Sequence, residues 1–108
     1  MDGGGLAIDS RGKLVSTWRR ENEVYIAEEG STEKKIEAGK DAAIAAGPGG
    51  VYTVWTASGA VHAQTPGNPK PIVLAAEGAF PQLLAVPNGP MLATWEDKGQ
   101  ILIQPIGR

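Results

Sequence analysis

The 108-residue chain has no cysteine, one histidine, one phenylalanine and two tyrosines. Without cysteine, a disulfide scaffold and a thiolate metal centre are both excluded. His62 stands alone, with no second ligand clustered near it in sequence, so it reads as a structural residue rather than a metal ligand. No apolar run approaches the ~18 residues of a membrane-spanning helix. Charge of one sign is not concentrated either: ten Lys and Arg against twelve Asp and Glu give a net charge of −2. The basic face that nucleic acid requires is therefore missing. The start, Met1-Asp2-Gly3-Gly4-Gly5, lacks the apolar core of a signal peptide and reads as a flexible glycine leader over residues 1–5.

What the chain does have is a repeat. Lys13-Leu14-Val15-Ser16-Thr17-Trp18 returns as Gly50-Val51-Tyr52-Thr53-Val54-Trp55 and again as Pro90-Met91-Leu92-Ala93-Thr94-Trp95. All three tryptophans close one of these stretches, 37 and then 40 residues apart, and Gly12, Gly49 and Gly89 precede them by six positions. A period of that size marks an array of supersecondary units. Upstream of each tryptophan, Leu6-Ala7-Ile8, Ala43-Ile44-Ala45 and Leu83-Leu84-Ala85 fall in register, each running into a turn: Ser10-Arg11-Gly12, Pro48-Gly49-Gly50 and Pro87-Asn88-Gly89. Downstream lie third segments at 24–27, 61–63 and 101–103, then fourth segments at 35–38 and 71–74.

Short apolar segments at this spacing, separated by turn residues, predict an all-β fold. Four strands per period of about 40 residues predict β-propeller blades. The blades are expected at 5–42, 43–80 and 81–108 of a single domain, 1–108. Eleven antiparallel strands result, the third blade lacking its outer strand because the chain stops at Arg108. A propeller has four to eight blades around a central channel, so three would leave open strand edges and apolar faces that invite association. Two copies would complete a six-bladed ring, and a homodimer is the expected assembly. Alanine, lysine and glutamate between Glu33 and Ala46 favour a helix, but Gly39 interrupts that stretch and the blade register requires strands there.

Antiparallel order sorts the connections onto two ends. First-to-second and third-to-fourth turns share one end. Second-to-third links and blade crossings share the other, where the charged groups concentrate. Ligand-binding candidates at that end are Arg19, Arg20, Asp41, Glu96 and Asp97, with Lys40 and Phe80 nearby. Arg19-Arg20 reads as a solvated loop or as an anion-facing one. Glu96-Asp97 reads as a charged hairpin tip or as a general acid–base pair. The tryptophans read as packing between blades, since a specific site has no need of the same residue in every repeat, or as stacking platforms for a sugar ring.

The glycine turn followed six positions later by tryptophan and a short polar link, as in Trp18-Arg19-Arg20, Trp55-Thr56-Ala57-Ser58 and Trp95-Glu96-Asp97, resembles the repeats of sialidase-like propellers, the bacterial neuraminidase repeats. The resemblance covers about the whole chain. It implies a six-bladed propeller, an exported location and, in the enzymes, hydrolysis of a terminal sialic acid by an arginine cluster and a tyrosine–glutamate pair. The family's Ser-x-Asp-x-Gly-x-x-Trp box is replaced here by Gly30-Ser31-Thr32-Glu33, and no catalytic residue is carried over. The expected function is therefore a non-catalytic scaffold for binding or assembly, with itself as partner. The alternative is a fragment of a sialidase or other glycoside hydrolase with a carbohydrate-binding channel face. No cofactor, metal, nucleic acid or membrane is expected.

Overall fold

A computed structural model describes residues 4–9, 11–47 and 49–107 of the chain. They form eleven strands in three antiparallel sheets and no helix, including the stretch where alanine and lysine would favour one. The first sheet runs β1 (Gly4–Ile8), β2 (Leu14–Arg20), β3 (Glu23–Glu28) and β4 (Lys34–Ala38) in sequence order. The second repeats that order with β5 (Lys40–Gly47), β6 (Gly50–Ala57), β7 (Ala60–Gln64) and β8 (Ile72–Ala75). The third holds β9 (Ala79–Ala85), β10 (Met91–Asp97) and β11 (Gln100–Gly107), leaving β11 as an edge.

The sheets stack in chain order, with β1 against β5 and β5 against β9. Burial along the second strands shows which faces are covered. In β6 every residue from Tyr52 to Thr56 is buried, because the middle sheet is packed on both sides. In β2 only Val15 and Thr17 are buried, whereas in β10 the buried set is Met91, Ala93 and Trp95. The first sheet therefore buries the face opposite its tryptophan, and the third buries the face that carries its tryptophan.

One contact joins both pairs of sheets. Trp55 packs on Val24 of β3, and Trp95 packs in a cluster with Val61 of β7, the residue in the position of Val24. A glycine at the crossing makes room in each case. A Cβ on Gly39 would stand 2.6 Å from Trp55 Cδ1, and one on Gly78 would stand 2.7 Å from both Trp95 Cδ1 and Val61 Cγ2. The crossing is tied down by the same hydrogen bond twice: the Gly39 N–H donates to the Asn22 carbonyl at 2.8 Å and the Gly78 N–H to the Gly59 carbonyl at 3.0 Å. Two residues after each glycine the chain adopts a left-handed angle, φ 55° at Asp41 and 53° at Phe80.

Three details differ from the sequence reading. Gly4 and Gly5 belong to β1 rather than to a leader, and Gly5 lies under Ile44; residues 1–3 fall outside the described residues. The polar links after the tryptophans are shorter than expected, because each second strand continues two residues past its indole. The hairpin is then closed by two residues of positive φ: Glu21-Asn22, Ser58-Gly59 and Lys98-Gly99. Such turns carry the backbone twist that the flanking strands need. Finally, the first strands align one residue away from the sequence register in the second sheet. Leu6 pairs with Ser16, Ile44 with Thr53 and Leu83 with Ala93, so Ile44 is the true counterpart of Leu6. The Gly47–Gly50 turn is one residue shorter than Asp9–Lys13, which absorbs the slip. Ser10, Pro48 and Arg108, read as turn and terminal residues, lie outside the described residues.

Gly39→Ala and Gly78→Ala each force a methyl group into an indole and a backbone or valine atom. Each is expected to lower stability by about 1–3 kcal/mol, the usual cost of overpacking, seen as a lower urea midpoint in equilibrium unfolding.

Candidate functional site

The five candidate residues all fall at the end of the sheets where second strands finish and crossings begin. They are spread over three sheets, and their surroundings differ. Arg20 projects from the outward face of the first sheet. Its guanidinium sits 4.2 Å from the centroid of the Tyr25 ring and pairs with the Glu33 carboxylate. Both partners, Tyr25 foremost, favour its charged form. Tyr25 in turn stacks on Trp18, with centroids 5.9 Å apart and planes 12° from parallel. Arg19 is half-buried on the opposite face of β2, across from Val24. Glu96 is exposed in β10 opposite Ile101, and Asp97 closes that strand opposite Gln100.

Asp41 alone of the five lines the cleft at this end, of about 460 Å³, which also takes in Asn22, Thr56, Ser58 and Phe80. The cleft is bordered by the two crossings, where Asp41 and Phe80 take positive φ, and by the hairpin-tip residues Asn22, Ser58 and Gly59. Thr56 Oγ1 donates to the Lys40 carbonyl at 3.2 Å and stands 3.4 Å from Asp41 Oδ2. Phe80 is 64% exposed on the rim. The cleft thus offers one carboxylate, hydroxyl and amide groups and an open aromatic face.

A larger cleft, about 620 Å³, lies at the other end, between the first and second sheets. Val15, Ile26 and Val51 contribute its apolar wall, and Arg11, Glu28 and Lys34 its charge. Sequence reasoning assigned that end to tight turns and passed over these residues. The available signal was Asp9, a short acidic side chain placed to close its own turn. Asp9 Oδ1 accepts the backbone N–H of Arg11 at 2.9 Å and of Lys13 at 3.0 Å. Its other oxygen accepts Arg11 Nη2 at 2.8 Å, and that guanidinium also reaches Glu28 Oε2 at 2.6 Å. The hydrogen bond from the Arg11 side chain, with the Lys13 amide, holds the Asp9 carboxyl below the usual carboxylate range. Arg11 is thus committed to two carboxylates within the wall of the cleft.

His62 is engaged in the seam between the first two sheets. Glu37 Oε1 accepts the Trp55 indole N–H at 2.8 Å, and His62 Nδ1 lies 2.5 Å from the same oxygen. The side-chain reading of His62 as structural therefore acquires a cause: it helps hold the carboxylate that satisfies a fully buried indole. Among the described residues Trp95 has no such acceptor. Its Nε1 is buried and unpaired among the described residues, and the position two before the crossing glycine, Glu37 in the first sheet, is Ala76 in the second. Burial of Trp55 and Trp95 favours packing over sugar stacking for these two indoles; Trp18 is only half-buried.

Glu37→Ala is expected to cost about 1–3 kcal/mol, because it leaves the Trp55 N–H buried without an acceptor. Glu37→Gln, which keeps an amide oxygen there, is expected to cost less. Chemical unfolding followed by tryptophan fluorescence checks the order.

Among the described residues, no group of three or more His, Cys, Asp or Glu side chains is placed to hold a metal ion. Comparison of the chain with protein-family models, with curated proteins and with solved structures returns no match.

Proposed function

We propose that the chain is a sialidase-like propeller unit of three blades that works as a binding or assembly scaffold, its six-bladed ring completed by a second copy. The observation that carries this reading is the twice-used contact between successive sheets: an indole seated on a valine of the preceding sheet beside a crossing glycine. A contact that recurs at equivalent positions suits an architecture extended by adding like units. Adjacency of the first strands β1, β5 and β9 supports a common axis for the three sheets. Exposed apolar residues on the first and third sheets support association rather than a solitary unit. Light scattering on the purified chain is expected to give twice the 11.2 kDa monomer mass. A monomer mass at every concentration sinks the reading.

A second reading, a carbohydrate-binding face of a glycoside hydrolase fragment, is favoured by Phe80. An exposed aromatic ring beside Asp41, Asn22 and Ser58 is the pairing of apolar and polar groups that a sugar ring meets. Under this reading a sialylated glycan binds saturably and Phe80→Ala weakens it roughly tenfold, about 1.4 kcal/mol. Turnover of a fluorogenic sialoside that is lost in Arg19 or Arg20 variants would make the face catalytic. Absence of both binding and turnover at millimolar ligand removes this reading.

A further inference from the structure

We infer that the two open sheet faces of the molecule are the two halves of one head-to-tail contact between copies of this chain, with Trp18 of one copy seated on Ile101 and Ile103 of the next. This rests on the assembly reading above and specifies its interface.

The inference follows from strand register. Trp18, Trp55 and Trp95 occupy one position, paired with Tyr25, His62 and Leu102. The residue one place before each of these partners is Val24, Val61 or Ile101. Val24 and Val61 are 0% exposed, because the next sheet brings Trp55 or Trp95 onto them. Ile101 is 66% exposed. Ile103 follows in the second seam: its counterpart Ala63 is fully buried and its other counterpart, Ile26, half-buried, while Ile103 is 63% exposed. Leu84, on the same face of β9, is open as well.

The first sheet shows the reciprocal vacancy. Its tryptophan face holds Leu6, Ile8, Leu14 and Trp18, paired across β1 and β2. Leu6, Ile8 and Leu14 are all exposed and Trp18 is half-buried. Their counterparts in the other sheets are covered or partly covered: Ile44 lies against Gly5, and Leu83 packs in the cluster between the second and third sheets. The molecule therefore presents, at its two ends, counterparts of the apolar strand faces that it joins twice internally, the third sheet offering three strands without the fourth strand and crossing glycine of the other two. A surface that already recognises its complement within the chain recognises it on a second chain, since the apolar groups and strand register are repeated. Each contact is head-to-tail, and two copies related by a two-fold axis form it twice, so that both ends are satisfied. Ion pairs at the margin of the head face, Lys35 with Glu23 at 2.8 Å and Arg20 with Glu33, are already formed within the sheet and need no rearrangement.

The test uses the whole 108-residue chain. Leu6→Asp places a charge on the head face and Ile101→Asp on the tail face. Both sites are exposed, and circular dichroism confirms that each variant keeps its sheets. Each variant alone is expected to associate at least tenfold more weakly than the parent in sedimentation equilibrium. An equimolar mixture is expected to recover part of the association, because a mixed pair forms one contact from an unaltered head and an unaltered tail. Trp18→Ala supplies a second head variant and is expected to behave as Leu6→Asp does. If the parent dimerises but either face variant is unaffected, or mixing restores nothing, the head-to-tail contact is overturned while self-association stands. If the parent is monomeric throughout, both fall. A ladder of larger species abolished by both variants upholds the contact and overturns the two-copy ring.

Discussion

The interaction on which the three-sheet stack depends is the seating of a tryptophan in the gap left by a crossing glycine. An indole is the largest apolar side chain available, and fully covering one removes a large area from water. It can lie flat against the preceding sheet only if the backbone there carries no side chain. Gly39 and Gly78 meet that condition within van der Waals distance of Trp55 and Trp95. The valine beneath, Val24 or Val61, completes the surface, and the glycine N–H locks the crossing to the tip of the hairpin. Sheet spacing and crossing path are thus set by one cluster of residues used twice.

The two seams are alike in shape but not in polarity. Between the first and second sheets the indole N–H has an acceptor, Glu37, which His62 also engages. Between the second and third, the corresponding N–H is buried without one among the described residues. Burying an indole N–H without a partner costs free energy that apolar packing must offset. The second seam has that packing: Val54, Val61 and Ala63 face Ala93 and Trp95, with Leu74, Leu83 and Ile106 around them, whereas the first relies on the smaller set of Val24, Ala42 and Trp55. One seam is held more by apolar area and the other by a carboxylate shared between sheets.

Function is constrained by which groups the seams consume. Arg20 is held by Tyr25 and Glu33, Arg11 by Asp9 and Glu28, and His62 by Glu37. Each has a structural employment in a turn, a sheet face or a seam. Surfaces with unmet physical demand include the exposed apolar ends of the stack, the outer strand of the middle sheet at Val73 and the rim of the crossing cleft at Phe80. Sequence reading grouped Asp41 and Phe80 with Arg19, Arg20, Glu96 and Asp97 by position along the strand, and of these only Asp41 and Phe80 line the crossing cleft. Position along a strand does not distinguish its two faces or its neighbours in the next sheet, so these side chains diverge in space.

The sequence alone determined the eleven strands, their order and the equivalence of the three tryptophans. Those features arise from local causes: alternation of apolar residues, glycine and asparagine at left-handed turns, and a repeated period. It also determined that no helix forms between Glu33 and Ala46, since strand register on both sides outweighed helix propensity. Only the tertiary structure decided that the strands run past their indoles, that the first strand of the second sheet is shifted by one residue, and that Glu37 serves Trp55 across a seam. A shorter turn can shift register while leaving the apolar pattern readable, and a contact between sheets joins residues that no local rule relates. Which faces are open was likewise decided by stacking, because identical repeats look identical in sequence whether a neighbour covers them or not.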